Sequence, residues 1–192
     1  MKLAVTLIRH GRTAWNHDRR FLGTTDIGLD DVGWTQAREL GAASSDSFMA
    51  VYSSPLARAA QTASCLADNV TEIADLRELA QGELEGLFLP EAISRYPDFF
   101  RRWKRDPTHQ SPPGGETLGA CRDRGLRALS TIVAKHVHGD VVAVVSHQLV
   151  IASVTCTIAR RPLSHWSEFG VQNCAGVVLE WDGVNWQIAG PF

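Results

Sequence analysis

Two histidines follow apolar runs in this sequence, and both are placed where they could act on an anion. Residues 3–8 form a strand-length run of aliphatic and β-branched residues, and Arg9 and His10 come directly after it. Residues 141–145 form a second such run, and His147 follows shortly afterwards. Both runs are typical of strands buried on both faces of a parallel sheet, and ligands bind at the carboxyl ends of such strands. The imidazoles could be nucleophiles, bases, metal ligands or packed core residues, but the Arg9 guanidinium matches phosphate oxygens and favours an anion site.

A further arginine and an amide extend this candidate anion site. Residues 51–53 predict a short strand, and Ser54 and Pro55 predict the cap and first turn of a helix over residues 56–67. Arg58 stands in the first turn of that helix, where its charge adds to the positive end of the helix dipole. Asn16 supplies a side-chain amide that can form a hydrogen bond to an anion.

The order of the predicted elements indicates an α/β fold. Predicted strands alternate with predicted helices, which cover residues 30–40, 56–67, 117–136 and 148–158. Residues 9–25 predict a loop, and residues 177–188 predict a hairpin closed by a two-residue type I′ turn at Asp182-Gly183. This alternation indicates a three-layer sandwich whose central sheet is mostly parallel, with an antiparallel edge strand.

Length and charge narrow the class of protein. The chain has 192 residues and a formal net charge of −2, so it suits one hydrophobic core and gives no indication of a nucleic-acid or membrane partner. No apolar run approaches the roughly 20 residues that span a bilayer, and residues 3–8 are too few for the apolar part of a signal peptide. We therefore expect a single domain over residues 1–192 in the cytoplasm. The sequence predicts no oligomeric state. We expect four reduced cysteines and five ordinary solvent-facing histidines, the latter being His17, His109, His136, His138 and His165.

Taken together, the motifs resemble those of the histidine phosphatase superfamily, also called phosphoglycerate mutase-like. The resemblance rests on Arg-His-Gly at residues 9–11, Ser-Pro-Leu-Ala-Arg-Ala at residues 54–59 and Ser-His at residues 146–147. It runs in order from about Leu3 to Leu179 and implies the phosphoglycerate mutase-like fold and a phosphatase that needs neither a metal nor an organic cofactor.

The resemblance also implies a role for each matching residue. His10 matches the nucleophile that becomes phosphorylated, and Glu78 matches the acid that protonates the leaving oxygen, because Leu-x-Glu with glycine four residues later has the family's spacing. Glu85 is the alternative acid. Four further residues match the family's pocket for the phosphoryl oxygens, namely Arg9, Asn16, Arg58 and His147. The expected catalytic set is therefore His10, Glu78 and His147.

Three features depart from the family pattern or bear on the substrate. Gln148 follows His147 where many relatives have glycine, so its side chain could contact the substrate or narrow the pocket, and Arg12 makes the entrance more positive.

Residues 86–115 are rich in proline and aromatic residues and predict a partly helical insertion, which is either a surface excursion or a substrate lid or wall. In the second case Phe99, Phe100 and Trp103 would form an apolar wall, and a basic cluster would meet a second anionic group. That cluster is Arg101, Arg102, Lys104 and Arg105.

The sequence thus predicts a phosphomonoesterase for a small phosphorylated metabolite, acting through a phosphohistidine. A phosphoglycerate mutase-type phosphoryl transfer is the alternative within the family, and the compact chain favours hydrolysis over it. The alternative from another class is a non-catalytic module that binds phosphorylated partners.

Overall fold

A six-stranded sheet forms the centre of the protein, for which a computed structural model describes residues 2–44 and 47–192. The strands, in chain order β1 to β6, are Leu3–Arg9, Ala50–Ser53, Val70–Glu72, Val141–Ser146, Gly176–Trp181 and Trp186–Pro191. Across the sheet the order is β3-β2-β4-β1-β5-β6. Strands β3, β2, β4 and β1 are parallel, whereas β5 is antiparallel to both of its neighbours.

The two apolar runs of the sequence are the central pair of strands. β1 and β4 pair in parallel with Arg9 opposite Ser146, so both strands end at the same edge of the sheet. The pairing continues one residue further, because the backbone N–H of His10 donates to the carbonyl oxygen of Ser146 over 3.0 Å. His10 and His147 therefore begin the two loops that leave this edge side by side.

Helices cover both faces of the sheet. In chain order, α1 to α7 are Ala14–Asp18, Asp31–Ala43, Ala57–Ala63, Leu89–Arg95, Pro97–Arg105, Leu118–Val133 and Gln148–Ile158. Short 3₁₀ segments lie at Ala74–Leu76, Gly82–Leu84 and Leu163–Phe169. Helices α6 and α7 pack on the face that carries Val5 and Val144, and α3 packs on the face that carries Ile8 and Val145. This arrangement confirms the predicted α/β fold with a mostly parallel sheet.

Local boundaries differ from the predictions where side chains make their own hydrogen bonds. The predicted loop over residues 9–25 contains α1, because Thr13 and Asn16 form a capping box. Helix α3 has Leu56 at its N-cap rather than Ser54, and it ends at Ala63 rather than at residue 67. The Ser54 hydroxyl oxygen accepts a hydrogen bond from the backbone N–H of Leu56 over 3.3 Å, at the N-cap and before the first helical residue.

The C-terminal hairpin is real, but its turn was predicted wrongly. Trp181 pairs with Trp186, so four residues rather than two connect β5 and β6. The Asp182 carboxylate accepts hydrogen bonds from the backbone N–H groups of Val184 and Asn185, over 2.8 and 2.7 Å, and these bonds stabilise the wider loop. The three-residue strand β3 was not predicted, because half-exposed Val70 and exposed Thr71 and Glu72 give no buried pattern.

One histidine expected in solvent is buried. The His136 side chain is 8% exposed, with Nδ1 3.0 Å from an Asp140 carboxylate oxygen and Nε2 2.9 Å from the Tyr52 hydroxyl. The four cysteines are free, as expected; they are Cys65, Cys121, Cys156 and Cys174. Within the described ranges no helix has both the length and the apolar character needed to cross a membrane.

Candidate active site

His10 lies at the end of β1 with its ring fixed by a backbone carbonyl. The residue is 3% exposed, and its Nδ1 is 2.7 Å from the carbonyl oxygen of Gly11. A carbonyl oxygen only accepts hydrogen bonds, so Nδ1 carries the proton of the neutral ring. The lone pair of the neutral imidazole is therefore on Nε2.

Burial and two arginines keep this imidazole neutral. Desolvation lowers the pKa of His10 well below its ordinary value, and the charges of Arg58 and Arg9 lower it further. Burial and Arg58 likewise lower the pKa of His147 well below its ordinary value. The two rings lie with their centroids 5.0 Å apart, which brings together the two histidines identified in the sequence.

His147 is held by a serine whose role the sequence did not indicate. Its Nε2 is 2.8 Å from the Ser54 hydroxyl oxygen, whereas its Nδ1 is buried and has no hydrogen-bond partner. Ser54 follows β2 directly, so it lies at the edge of the sheet where β1 and β4 also end. This position was the feature of the sequence that could have placed Ser54 near His147. The Ser-Pro pair instead suggested a helix cap.

Each of the two arginines has one buried donor, Nε, without a hydrogen-bond partner among the described residues. Arg58 is fully buried and donates to the carbonyl oxygens of Gly23 and Thr25, over 2.7 and 3.0 Å. Arg9 donates to the carbonyl oxygen of Val171 over 2.9 Å. In the described parts of the chain, four buried side-chain polar atoms lack a partner, and three of them are Arg9 Nε, Arg58 Nε and His147 Nδ1. Buried donors are usually paired, so this concentration indicates an anion-binding site.

Glu78 is buried beside this site and faces the first turn of α7. Its carboxylate oxygens accept hydrogen bonds from the backbone N–H groups of Leu79 and Leu149, over 2.8 and 3.2 Å. These bonds and the charges of Arg58 and Arg124 favour the ionised form, but burial outweighs them and raises the pKa of Glu78. A carboxyl group with a raised pKa keeps its proton to a higher pH than an exposed glutamate does, which suits a general acid.

The alternative acid, Glu85, has a different environment. Its two carboxylate oxygens accept hydrogen bonds from the backbone N–H groups of Thr24 and Thr25, over 2.8 and 2.7 Å. Burial alone would raise the pKa of Glu85, but the hydrogen bonds from Thr25 and Thr24 outweigh it and lower the pKa. Glu85 thus fixes the loop whose carbonyl groups hold Arg58, and it does not line the central cavity.

An ion pair braces the segment that carries Glu78. Arg124 on α6 pairs with Glu116, with 2.9 Å between Nε and a carboxylate oxygen. The same guanidinium donates to the carbonyl oxygen of Asp75 over 2.8 Å and to that of Arg77, while the backbone N–H of Glu116 donates to the carbonyl oxygen of Ala80 over 2.9 Å. The backbone on both sides of Glu78 is therefore tied to α6.

The two candidate amides line the same cavity as His10. The Asn16 side-chain oxygen accepts a hydrogen bond from the backbone N–H of Thr13 over 3.2 Å, which leaves its NH₂ group available. The Gln148 side-chain oxygen accepts from the backbone N–H of Val171 over 3.3 Å. Asn173 was missed in the sequence, although it donates to the His10 carbonyl oxygen over 2.9 Å.

This central cavity has a volume of about 250 Å³, and its lining combines His10, Arg9 and Glu78 with an apolar wall. The fully buried Arg58 and His147 lie behind this lining and are not part of it. Its lining includes Phe99, Phe100 and Trp103, as predicted for the substrate wall. Two expectations about charge are wrong. Arg12 adds no free charge to the entrance, because its Nε is 2.8 Å from an Asp30 carboxylate oxygen. The basic cluster at residues 101, 102, 104 and 105 does not line the cavity.

Across residues 2–44 and 47–192, no group of three or more His, Cys, Asp or Glu side chains is arranged to hold a metal ion. The arrangement around His10 instead combines a neutral imidazole, two guanidinium groups and a carboxyl group with a raised pKa. Such a set can bind a phosphoryl group, attack it and protonate a leaving oxygen.

Comparison with known proteins agrees with this chemistry. The sequence profile of the histidine phosphatase superfamily (branch 1) matches residues 5–191. The phosphoglycerate mutase-like protein 4 of Arabidopsis thaliana is 33% identical, with 96% of this chain and 82% of that protein aligned. The metal-independent phosphoserine phosphatase of the same organism is 34% identical, with 81% of this chain and 68% of that protein aligned.

A solved structure shows the same fold. The mycobacterial glucosyl-3-phosphoglycerate phosphatase Rv2419c, in complex with VO3, superimposes with a TM-score of 0.88 at 26% identity and covers 97% of each chain. The predicted family resemblance is therefore confirmed over almost the whole sequence. This chain belongs to branch 1 of the histidine phosphatase superfamily and is a phosphatase of that family.

Proposed function

We propose that this protein hydrolyses small phosphomonoesters through a phosphohistidine on His10, with Glu78 as general acid and base. The observation that carries the proposal is the set of unpartnered buried donors beside His10, namely Arg9 Nε, Arg58 Nε and His147 Nδ1. An unpaired buried donor costs about 1–3 kcal/mol, and the oxygens of a phosphoryl group would supply the missing acceptors.

Substrate binding uses these donors together. A phosphate monoester carries up to two negative charges, and the charges of Arg9 and Arg58 offset them in a site shielded from water. A Ser54 hydroxyl that donates to His147 Nε2 places the proton of the neutral His147 ring on Nδ1, which then donates to a phosphoryl oxygen. The free amide NH₂ groups of Asn16 and Gln148 complete the substrate-binding set.

In the first step, the His10 Nε2 lone pair attacks phosphorus and the bond from phosphorus to the ester oxygen breaks. A neutral nucleophile is needed because an anion would be repelled by the ester, and the lowered pKa of His10 supplies one. The departing oxygen takes the proton of Glu78, whose raised pKa favours the protonated form in the free enzyme.

In the second step, the ionised Glu78 takes a proton from water while the water oxygen attacks phosphorus. The bond between phosphorus and His10 Nε2 breaks, and its electron pair returns to the imidazole. Inorganic phosphate leaves, and both Glu78 and His10 are restored to their starting protonation states. The arginines stabilise the phosphoryl oxygens in both transition states.

The proposal also covers the domain organisation, the cellular location and the partners of the reaction. The whole chain acts as one domain, with residues 86–115 forming a wall of the substrate cavity rather than a separate surface excursion. The reaction takes place in the cytoplasm on a free small molecule, without a metal ion, an organic cofactor, a nucleic acid or a membrane.

Hydrolysis of p-nitrophenyl phosphate in EDTA tests this proposal. We expect turnover by the wild type with release of inorganic phosphate, and loss of it in His10→Ala. His17→Ala is the matched control, since the His17 side chain is 64% exposed and should leave the rate unchanged. Equal rates for His10→Ala and the wild type would contradict the proposal, as would a requirement for added metal. Transfer of the phosphoryl group to a second metabolite, in preference to water, would indicate mutase-type transfer.

A further inference from the structure

The position of Glu78 shows on which side of the phosphoryl site the leaving group lies. Two cavities meet at four shared residues, which are Arg9, Asn16, Arg20 and Phe21. Glu78 lines the central cavity of about 250 Å³, whereas the neighbouring cavity, which contains Arg19, does not include it. Glu78 also lines a cavity on the side of Arg77 and Arg124, but that cavity does not reach His10 or Arg9. A general acid must come within hydrogen-bond reach of the oxygen it protonates. On the proposed mechanism, the leaving alcohol therefore occupies the central cavity.

The central cavity is apolar beyond the phosphoryl site. Its wall away from His10 is formed by Phe21, Leu22, Leu84, Phe100, Trp103 and Trp166. The neutral amide of Gln81 also lines the cavity. Burial of apolar surface against such a wall is favourable, whereas burial of an unpaired carboxylate is costly.

Arg20, at the mouth of this cavity, already contacts other groups of the protein. Arg20 donates to the carbonyl oxygen of Gly86 over 3.1 Å, lies 3.4 Å from an Asp18 carboxylate oxygen, and stacks 4.2 Å from the centre of the Phe88 ring. Among the described residues that line the cavity, the cations are Arg9 and Arg20. Arg9 belongs to the phosphoryl site, and a second anionic group could use Arg20 only in competition with Asp18.

The basic cluster on α5 points elsewhere. Arg101 pairs with Asp98, and Arg102 donates to the Gln110 side-chain oxygen over 3.1 Å, all on the solvent side of the helix. The opposite side of α5 presents Phe100 and Trp103 to the cavity. The helix therefore offers the substrate its aromatic residues and not its charges.

We propose that the leaving group is an uncharged alcohol with an aromatic or branched aliphatic body, rather than the carboxylate-bearing alcohol of a phosphoserine or a phosphoglycerate. This inference rests on the proposed function, because it takes the alcohol to lie beside Glu78. A cavity of about 150 Å³ can hold benzene, so about 250 Å³ has room for a phosphoryl group and one ring.

Three esters of poor leaving groups test this inference in the wild type. We expect kcat/KM for 2-phenylethyl phosphate to exceed that for O-phosphoserine and for 3-phosphoglycerate by about tenfold to a hundredfold, the range that differences in pocket contacts produce. All three esters release alkoxides and need the acid, so the comparison reports pocket contacts rather than leaving-group chemistry. Equal or faster hydrolysis of the two carboxylate esters would overturn the inference.

A charge placed in the wall should reverse the preference. Phe100→Arg is expected to raise kcat/KM for 3-phosphoglycerate relative to 2-phenylethyl phosphate by at least about tenfold, by supplying a cation for the carboxylate. Arg102→Ala is the matched control on the solvent side of the same helix, and it should leave the ratio unchanged. If Arg102→Ala instead impaired 3-phosphoglycerate selectively, the basic cluster would be the recognition element and the inference would be wrong.

Binding to His10→Ala separates this inference from the proposed catalytic mechanism. Titration calorimetry with the same three esters needs no turnover, and we expect 2-phenylethyl phosphate to bind about tenfold or more tightly than the carboxylate esters. The same order of binding without hydrolysis by the wild type would support the pocket assignment and contradict the proposed function. Tighter binding of 3-phosphoglycerate or O-phosphoserine would overturn the pocket assignment, whatever the wild type hydrolyses.

Discussion

Replacement of Glu78 by glutamine should slow the enzyme according to the leaving group of the ester. Glu78→Gln keeps the shape of the side chain and removes its transferable proton. Both carboxylate oxygens accept a backbone N–H, from Leu79 and from Leu149. A glutamine has only one acceptor oxygen, so one of these buried N–H groups loses its partner, at a cost of about 1–3 kcal/mol in the free energy of unfolding.

The kinetic effect can be separated from that loss of stability. General acid catalysis contributes roughly 10²–10⁴-fold, which corresponds to about 3–5 kcal/mol of barrier. We expect kcat for 2-phenylethyl phosphate to fall by roughly that factor. The rate with p-nitrophenyl phosphate should fall by less than about tenfold, because nitrophenolate leaves without protonation.

Glu85→Gln is the matched control for this experiment. It makes the same chemical change at the alternative acid, which contacts Thr24 and Thr25 and acts on the site through Arg58 and the loop that holds Arg58. We expect it to slow both esters by similar factors. The measurement is steady-state kinetics at a temperature where both variants are folded. Equal slowing of the two esters by Glu78→Gln would refute the assignment of Glu78. A dependence on the leaving group in Glu85→Gln would refute it as well.

Three further predictions concern the same site. Because burial lowers the pKa of His10 and of His147, unfolding takes up protons below about pH 6.5. The free energy of unfolding in urea should therefore fall as the pH is lowered from that value, by up to about 1.4 kcal/mol per pH unit for each imidazole. It should fall less steeply in the double variant His10→Asn, His147→Asn. Arg58→Lys should lower kcat/KM by about tenfold to a hundredfold, because an ammonium group cannot keep both carbonyl contacts and still donate to the phosphoryl group; an unchanged kcat/KM would contradict this role. Arg124→Met should lower kcat for 2-phenylethyl phosphate more than for p-nitrophenyl phosphate, by loosening the segment that carries Glu78; a lower melting temperature with an unchanged ratio of rates would assign Arg124 to stability alone.

The sequence was sufficient to predict the two strands whose ends carry His10 and His147. The two apolar runs became β1 and β4, and their parallel pairing brings His10 and His147 together. These strands could be predicted because they are buried on both faces and so carry a continuous apolar signal. Arg58 was predicted at its position for a related reason, since it lies in the first turn of the helix that follows another buried strand.

Features that depend on side-chain hydrogen bonds could not be predicted in the same way. The contact between Ser54 and His147 joins residues 93 positions apart, and the local Ser-Pro pair predicts a helix cap instead. The ion pair that neutralises Arg12 likewise depends on Asp30 in another segment. The orientation of α5 depends on how its aromatic face packs around Phe99, and composition alone suggested that its basic residues would meet the substrate.

The most direct test of the central claim is to trap and locate the phosphoryl group during turnover. The enzyme is mixed with excess p-nitrophenyl phosphate, quenched in alkali, which preserves phosphohistidine, and digested for peptide mass spectrometry. We predict one phosphoryl group on His10, at Nε2 because Nδ1 is hydrogen-bonded to the Gly11 carbonyl oxygen, and none in His10→Ala. Label on His147, or turnover by His10→Ala at the wild-type rate, would contradict the account.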